Sequence, residues 1–481
     1  MTGGGVAKAM DLELRLEPGS RAPLYLQVAG AVVRAIARGR LRPGMALPGV
    51  RELAARLGVT VNTILAGLRE LQAQGWLTSQ ERAGFFVSGT LPVPRREGAQ
   101  GAGGAPGFDV PEGLPPVTSP AGVVMDLSEA CADARLAPFL ELGRAYQRGL
   151  RLKGPELMGS RDPMGLRRLR EVLAAHLGVS RALPADPGRI LILHSSSMAI
   201  TLVAQALVGG RGGTVAVEDP GDPALWETLR QACTAQVRGL PVDAEGLRVE
   251  PLEALHREGS LKLLVLTPGC HFPTGARLSD PRRAAILELS RRGRFPILEL
   301  DPEGEHLDAP EPLAALDPGQ VLHAGSLSRV FAPALGVDYL VVPEAMAAPL
   351  ARARQRLDWQ GDPATEWALS ELFLDGEMER LILRVRKACL ERAEAVQDAL
   401  GHALGDRLRW RGGAMGLWME GLGPLGDPAT FGAWIKGCQA QGLKLRQGRY
   451  YSFAGADLAA TRLGFSAFTP EELQRAVAMM R

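Results

Sequence analysis

The 481-residue sequence predicts a multi-domain chain, in which a small α+β unit is followed by a large α/β unit. Residues 11–90 contain three helical segments with an apolar period and then two short apolar strands. From about residue 123 onward, short apolar runs alternate with helical stretches, which is typical of a mostly parallel sheet covered on both faces. Residues 91–122 are rich in glycine and proline and lack an apolar period, so they predict a flexible linker.

The N-terminal unit begins with three predicted helices. The first carries one apolar stripe, at Leu24, Val28, Val32 and Ile36. The second starts near Pro48 and ends at Gly58, and Thr60 can cap the third. The third helix has Ile64, Leu68 and Leu71 on its buried side, with Gly67 in its middle at a cost of about 1 kcal/mol relative to alanine. Residues 76–79 and 85–87 then read as two strands. This order predicts a winged helix-turn-helix.

Charge is distributed unevenly along the chain. Residues 1–90 contain eleven lysines and arginines against six acidic residues, whereas the whole chain has a net charge of only +2. The excess of positive charge at the N-terminus predicts a surface that faces nucleic acid.

The α/β unit is predicted from five apolar runs, at residues 190–193, 214–217, 263–266, 296–300 and 339–342. A long helix near residues 366–400 precedes a smaller α+β portion, predicted at about 385–481. Five cysteines are an odd number without metal-ligand spacing, so we expect reduced thiols and no metal site. With no membrane-length apolar run and no signal peptide, a cytoplasmic location is expected and no membrane partner.

The N-terminal unit resembles the GntR family of bacterial regulators. The matching segments are Pro23–Gln27, Gly39–Gly44, Leu47–Pro48, Arg51–Ala54, Leu57–Thr60, Asn62–Thr63 and Gly75–Leu77. The resemblance implies binding to double-stranded DNA, with the start of the recognition helix in the major groove. A winged helix used only for protein contact is the alternative.

Carried over residue by residue, the resemblance implies six DNA-binding positions: Arg51, Thr60, Val61, Asn62, Thr63 and Arg82. Val61 stands where the family usually has arginine, and valine offers only apolar contact, for example to a thymine methyl group. Arg82 stands at the wing tip, where the family usually has glycine, and is expected to meet a phosphate or enter the minor groove.

The rest of the chain resembles the fold-type I aminotransferase domain that is fused to GntR domains in the MocR subfamily. The matching segments are Asp162–Gly165 with Leu169 and Arg170, Glu218–Gly221, Val242–Leu247, Thr267–Pro268 with Phe272–Gly275, Ser328 with Ala332–Leu335, and Arg462–Phe465. The resemblance implies a fold like that of the pyridoxal phosphate (PLP) transferases. It also implies a homodimer, because active sites of this fold are built between two subunits.

Five positions that bind PLP in the family are altered here. Arg329 stands at the lysine that forms the Schiff base, Leu300 at the aspartate beside the ring nitrogen, Pro302 at a tyrosine, Gly336 at the phosphate arginine and Asp222 at a second tyrosine. A guanidinium cannot form a Schiff base, and leucine cannot keep the ring nitrogen protonated. We therefore expect no PLP cofactor and no enzyme activity.

A remnant pocket is the remaining candidate site. Arg462 stands at the family's carboxylate-binding arginine, and Ser196 and Ser197 lie in the former phosphate turn. With Arg329, these residues predict a pocket for a small acidic effector. Alternatively, both arginines pair with Asp222, Glu299 or Asp301. Cys270 and His271 lie beside this site but lack further metal ligands.

The sequence therefore predicts a DNA-binding transcriptional regulator of the GntR/MocR type, dimerised by its aminotransferase-like domain and independent of covalent PLP. A PLP-dependent aminotransferase or a PLP-sensing regulator is the alternative. A constitutive DNA binder without a ligand is a third possibility.

Overall fold

The computed structural model describes residues 16, 22–80, 84–92, 122–159, 162–305, 310–357 and 361–481. The chain divides into two compact units, Met1–Val117 and Thr118–Arg481. Most of the predicted linker, residues 93–121, lies outside the described residues, as does Arg82.

The N-terminal unit is a winged helix-turn-helix. Its elements are α1 (Leu24–Ala37), α2 (Val50–Leu57), α3 (Val61–Ala73), β1 (Leu77–Gln80) and β2 (Gly84–Val87). The two strands pair antiparallel, and Ala46 adds an isolated bridge to Phe86. Gly58 ends α2 in the left-handed conformation, with φ of 66°, which glycine adopts without strain.

Helices α1 and α3 pack closely through Gly67. A Cβ atom at this position would lie 2.8 Å from the backbone oxygen of Tyr25 and 3.1 Å from a methyl group of Val28. Glycine inside α3 therefore has a packing reason that its helix propensity alone does not reveal. Ile64, Leu68 and Val28 are fully buried around this contact, whereas Leu24, at the first position of α1, is 51% exposed.

The C-terminal unit contains the remaining elements. Its helices are α4 (Phe139–Gly159), α5 (Arg167–Ser180), α6 (Ser196–Leu207), α7 (Pro223–Ala232), α8 (Val249–Arg257), α9 (Asp280–Gly293), α10 (Leu313–Leu316), α11 (Glu344–Leu357), α12 (Pro363–Leu374), α13 (Glu377–Leu404), α14 (Pro428–Ala440) and α15 (Pro470–Met479). Its strands are β3 (Met125–Asp126), β4 (Ile190–Leu193), β5 (Thr214–Asp219), β6 (Gln236–Asp243), β7 (Gly246–Leu247), β8 (Leu261–Leu266), β9 (Ile297–Asp301), β10 (Val321–Ser326), β11 (Asp338–Val341), β12 (Leu408–Gly412), β13 (Gly416–Gly421), β14 (Leu443–Lys444) and β15 (Ala460–Gly464).

A large mixed sheet forms the centre of this unit, in the order β4-β11-β10-β9-β8-β5-β6-β7. Strands β10, β9, β8, β5 and β6 run parallel, and β11 is antiparallel to both of its neighbours. The sheet is covered on both faces: Ile190 and Ile192 belong to one apolar core, and Leu191 and Leu193 belong to the other.

Three strands of the large sheet and one helix boundary differ from the sequence prediction. All five predicted runs are strands, but β6, β7 and β10 were not predicted, because β6 is partly exposed, β7 has only two residues and β10 ends in Gly325 and Ser326. The predicted long helix near residues 366–400 is two helices, α12 and α13. Gly376 separates them with φ of 71°, a left-handed conformation that stops an α-helix.

The small C-terminal subdomain contains the sheet β12-β13-β15, packed against the later part of α13 and against α14 and α15. It also takes in the start of the unit, since β3 pairs parallel with β14 and Leu127 is fully buried in this core. A two-residue strand has no period to detect, so the sequence did not predict this contribution.

Candidate functional sites

The first turn of α3 is exposed and capped. The hydroxyl group of Thr60 accepts a hydrogen bond from the backbone N–H of Thr63 at 3.2 Å, and the two threonine hydroxyl groups are 2.9 Å apart. Thr60, Val61 and Asn62 are exposed, with Val61 at 41%, and Thr63 is half-buried. These four predicted contact residues therefore lie together at the N-terminus of the helix, where side chains and backbone N–H groups can reach a base edge or a phosphate.

Arg51 lies on the first turn of α2 and is exposed. The neighbouring Glu52 pairs with Arg56 at 2.7 Å, and within the described residues Arg51 itself forms no ion pair. Its charge is therefore available to an external anion. The described exposed arginines of this unit also include Arg34, Arg38, Arg40, Arg42 and Arg69.

A cavity of about 610 Å³ lies in the C-terminal unit, at the carboxyl ends of the parallel strands. Ligands bind at this edge in open α/β sheets. All four residues of the predicted effector pocket, Ser196, Ser197, Arg329 and Arg462, line it, and so do Leu300, Pro302 and Asp222. Gly336 is not among the lining residues; its carbonyl oxygen lies 3.1 Å from Nδ1 of His194.

Arg462 forms a buried ion pair with Glu303. The guanidinium Nη2 lies 3.1 Å from Oε1 of Glu303, and the guanidinium carbon lies 4.8 Å from the ring centroid of Phe272. Both charged side chains are buried. The partners expected from the sequence, Asp222, Glu299 or Asp301, were wrong for this arginine. Its charge is already compensated within the chain.

Arg329 points into the cavity from the loop after β10. Its guanidinium donates to the carbonyl oxygen of Ala130, and its backbone N–H donates to Oγ of Ser326 at 3.1 Å. Asp222 accepts a hydrogen bond from the backbone N–H of Ala224 at 2.9 Å and so caps α7. Burial raises the pKa of Asp222, although the charges of Arg329 and Arg462 act in the opposite direction.

A carboxylate of the chain occupies the start of α6. Asp338 accepts hydrogen bonds from the hydroxyl groups of Ser326, at 2.6 Å, and Ser196, at 3.1 Å. Burial raises the pKa of Asp338, and the hydrogen bonds from the serines oppose this. Asp338 thus lies beside the N-terminus of α6, where the helix dipole favours a negative charge.

The register of β9 turns two acidic residues away from the cavity. Leu300 lines it, whereas Glu299 accepts the backbone N–H of Leu313 at 2.8 Å, and Asp301 pairs with Arg181. Both acids lie on the opposite face of the strand because successive side chains alternate. Leu300 is therefore the residue of this motif that faces the cavity from within the strand.

Glu218 is a deeply buried acid that lines the cavity, with 6% of its surface exposed. Its Oε2 accepts the backbone N–H and the hydroxyl group of Thr267, both at 2.8 Å. Burial raises the pKa of Glu218 to about 7, against the effect of these two hydrogen bonds. His271 lies 3.7 Å away, but burial and the charge of Arg411 lower its pKa to about 3, so it is neutral at pH 7.

Sequence reasoning did not single out Glu218, Glu303 or Asp338 as cavity residues. Glu218 lies in a segment that resembles a known family but has no pattern of its own that indicates ligand binding. Glu303 follows the altered cofactor motif. Asp338 carries no local signal, since its role depends on the pairing of β11 with β10 and β4.

Cys270 and His271 have protein partners. Sγ of Cys270 lies 3.4 Å from Oε2 of Glu303, and Nδ1 of His271 lies 2.7 Å from the hydroxyl oxygen of Thr274. In the part of the chain that the structure describes, no group of three or more histidine, cysteine or acidic side chains could hold a metal ion. None of the described helices combines the length and the apolar character needed to cross a membrane.

Comparison with known proteins identifies the family. The profile of "Bacterial regulatory proteins, gntR family" matches residues 24–87, which include α1, α2, α3 and both strands of the wing. Over nearly its whole length, the chain is 30% identical to the HTH-type transcriptional regulator TauR of Rhodobacter capsulatus, covering 96% of this chain and 97% of TauR. The chain belongs to the MocR-type regulators of the GntR family. It is also 25% identical to the "Probable rhizopine catabolism regulatory protein MocR" of Rhizobium meliloti, over 79% of this chain and 77% of that protein.

Solved structures show the fold of the C-terminal unit of this MocR-type regulator. An archaeal alanine:glyoxylate aminotransferase matches 74% of the chain and 89% of its own length, with 23% identity and a TM-score of 0.67. The α-aminoadipate aminotransferase LysN of Thermus thermophilus matches 75% of the chain and 91% of its own, with 24% identity and a TM-score of 0.66. The unit therefore has an aminotransferase-like fold, while the relatives by sequence are named as transcriptional regulators.

Proposed function

We propose that this transcriptional regulator binds double-stranded DNA as a homodimer and senses a small effector in its aminotransferase-like unit, without covalent PLP. The observation that carries the proposal is the combination of an exposed, basic recognition surface with a cavity that has no lysine among its described lining residues. A Schiff base requires a lysine amine at the site.

DNA contact is assigned to the first turns of α2 and α3. Arg51 is assigned a bidentate contact with guanine, which is supported by its exposure and by the lack of a described acidic partner for its charge. Thr60, Asn62 and Thr63 can donate to bases or phosphates, and Val61 can contact a thymine methyl group. Arg82, from the tip of the wing, is assigned to a phosphate.

The described cavity residues do not fit PLP. Arg329 replaces a nucleophilic amine with a guanidinium that stays charged, and Leu300 presents no acid to a ring nitrogen. Asp338 already accepts the hydroxyl groups of Ser196 and Ser326, so a phosphate at the start of α6 would meet a carboxylate. The negative charges of a phosphate and of this carboxylate would repel each other, which disfavours phosphate binding at this position.

Dimerisation is assigned to the C-terminal unit, with α4 as part of the interface. This helix exposes several large apolar side chains, namely Phe139 at 56%, Leu140 at 71%, Leu152 at 62% and Met158 at 65%. Large exposed apolar side chains in this number on one helix favour a protein interface. The occupant we assign is a second copy of the chain, because the family places its subunit contact in this unit.

Binding to DNA sites recovered by genome-wide occupancy mapping tests the proposal. The full chain should bind these sites tightly in an anisotropy titration, and residues 1–92 alone should be monomeric and bind much more weakly, because two tethered modules raise the effective concentration at a paired site. Equal affinity of the fragment would contradict the role of the C-terminal unit. An effector is detected as a compound that both stabilises the full chain thermally and changes its DNA affinity. If no such compound exists, the chain is a constitutive binder.

A further inference from the structure

The described lining of the cavity is negatively charged. It contains the carboxyl groups of Glu129, Glu218, Asp222, Glu303 and Asp338. Against these five acids stand two guanidinium groups, Arg329 and Arg462, so the excess is three negative charges when every carboxyl group is ionised and somewhat less at pH 7, because burial raises the pKa of Glu218 to about 7. The two arginines suggested an acidic effector when the sequence was considered alone. In the folded structure, acidic side chains outnumber basic ones around the cavity. An anion that enters it therefore meets net repulsion.

The two arginines are also less available than the acids. Arg462 is compensated by Glu303 at 3.1 Å, and Arg329 donates to the carbonyl oxygen of Ala130. By contrast, Glu218 uses only Oε2 in its hydrogen bonds to described residues, so Oε1 is left to accept a hydrogen bond from a ligand. Asp222 accepts the backbone N–H groups of Ala224 and Leu225, and a carboxylate with about four lone-pair sites can accept further bonds. Glu218 is more than nine-tenths buried, so its ionised form is favoured by a cationic partner.

The neighbouring surfaces suit a short organic chain. Ile200, Leu225, Phe272 and Leu300 line the same cavity with apolar groups, and Thr267 adds a hydroxyl group that is already committed to Glu218. An ammonium group offers three hydrogen-bond donors and no acceptor, which complements unpaired carboxylate oxygens. A charge-assisted hydrogen bond is about twice as strong as a neutral one.

We propose that the cavity binds a small organic amine in its cationic form, held by Glu218 and Asp222 with its carbon chain against the apolar wall. This inference rests on the proposed function, since it names the chemical class of the effector. It places the recognition of the ligand on the end of β5 and the turn that follows it, instead of on Arg462 and Arg329. The ligand is held by ion pairing and hydrogen bonds, and no covalent step is involved.

Four probes of equal chain length separate charge from size: cadaverine, aminopentanol, glutarate and pentanediol. Each is titrated into the full chain by calorimetry, at one ionic strength. We expect cadaverine and aminopentanol to bind, and to bind at least about tenfold more tightly than glutarate or pentanediol, because hydrogen bonds to charged groups contribute roughly that factor.

Variants test which groups hold the amine. Glu218→Gln keeps an oxygen that accepts the two bonds from Thr267, and Asp222→Asn keeps a residue that caps α7 well. Each should weaken cadaverine binding at least about tenfold. Glu253→Gln is the matched control, since Glu253 is an exposed acid on α8 that does not line the cavity, and it should leave binding unchanged. Thermal unfolding of each variant verifies that it is folded.

The outcomes separate this inference from the proposed function. Tighter binding of glutarate, binding of none of the four probes, or equal loss in the control and the cavity variants overturns the amine site. If glutarate binds and changes DNA affinity, effector sensing stands and only the ligand class is wrong. If cadaverine binds through Glu218 and Asp222 without changing DNA affinity, the amine site stands and the sensing function fails.

Discussion

The Glu218→Gln variant is expected to gain stability relative to the unchanged chain as the pH rises from acidic to alkaline. Burial raises the pKa of Glu218 from 4.5 to about 7, so the folded state holds a proton that the unfolded state releases. The stability associated with this proton is fully present below pH 4.5 and is lost as the pH rises through 7. Glutamine never ionises, and its carbonyl oxygen still accepts the two bonds from Thr267.

The size of the effect follows from the two pKa values of Glu218. Each pH unit between them changes the free energy of unfolding by about 1.4 kcal/mol, so the full span corresponds to roughly 3 kcal/mol. For a unit of roughly 360 residues, with an unfolding entropy of about 2.1 cal/mol/K per residue, this shifts the melting temperature by about 4 °C. His271 acts in the opposite sense, since its lowered pKa makes stability rise between pH 3 and 6.5. Its contribution is common to both proteins and largely cancels in the difference.

The assay is thermal and urea unfolding of the full chain at pH 5 and pH 8, for the unchanged protein, Glu218→Gln and Glu253→Gln. The difference between Glu218→Gln and the unchanged protein should grow by roughly 2–3 kcal/mol in favour of the variant between these pH values. Glu253 is exposed, so its variant should show no such pH dependence. A pH-independent difference for Glu218→Gln would refute the argument that burial of this carboxyl group controls its protonation.

Three further predictions concern the cofactor, the DNA and the dimer. The purified protein should show no absorbance band of bound PLP and no borohydride-reducible adduct with it, and Arg329→Lys should not restore transamination, because Leu300 and Asp338 remain. Arg51→Ala should cost about 1–3 kcal/mol of binding to a specific site and relax selectivity at one position, as measured by anisotropy. Leu152→Glu should shift the chain from dimer to monomer in analytical ultracentrifugation, because it places a charge in the apolar surface of α4.

Each of these predictions has a control or an outcome that contradicts it. A reduced PLP adduct on any lysine of the C-terminal unit would overturn the first. For DNA binding, Arg257→Ala removes an exposed arginine of α8 and should leave specific affinity unchanged; unchanged affinity with Arg51→Ala means that the winged helix docks differently. For the dimer, Val179→Glu changes an apolar residue that is 90% exposed outside α4 and should remain dimeric.

Local patterns predicted the elements well. The apolar runs that became β4, β5, β8, β9 and β11 are short and bounded by turn residues, and the cap of α3 at Thr60 follows from its side chain and its place before an apolar period. These features depend on neighbours in sequence. Resemblance to known families then supplied the type of fold and the residues expected around the cavity, which periodicity alone does not give.

Contacts between residues that lie far apart along the chain could not be predicted from the sequence. The partner of Arg462 is Glu303, 159 residues away along the chain, and the sequence offered no reason to prefer it over Asp222, Glu299 or Asp301 until the fold was known. Asp338 follows a loop after β10, and only the antiparallel insertion of β11 brings its carboxylate to α6. The break at Gly376 was missed because a single glycine inside an apolar period is tolerated in many helices.

The position of Asp338 connects the sheet topology to the cavity. Because β11 is inserted antiparallel between β10 and β4, the first residue of this strand brings its carboxyl group to the hydroxyl groups of Ser196 and Ser326. A negatively charged group that approached these hydroxyl groups would have to take the place of a carboxyl group that the fold holds there. The polarity of this end of the cavity is therefore set by backbone pairing between strands as well as by the choice of side chains.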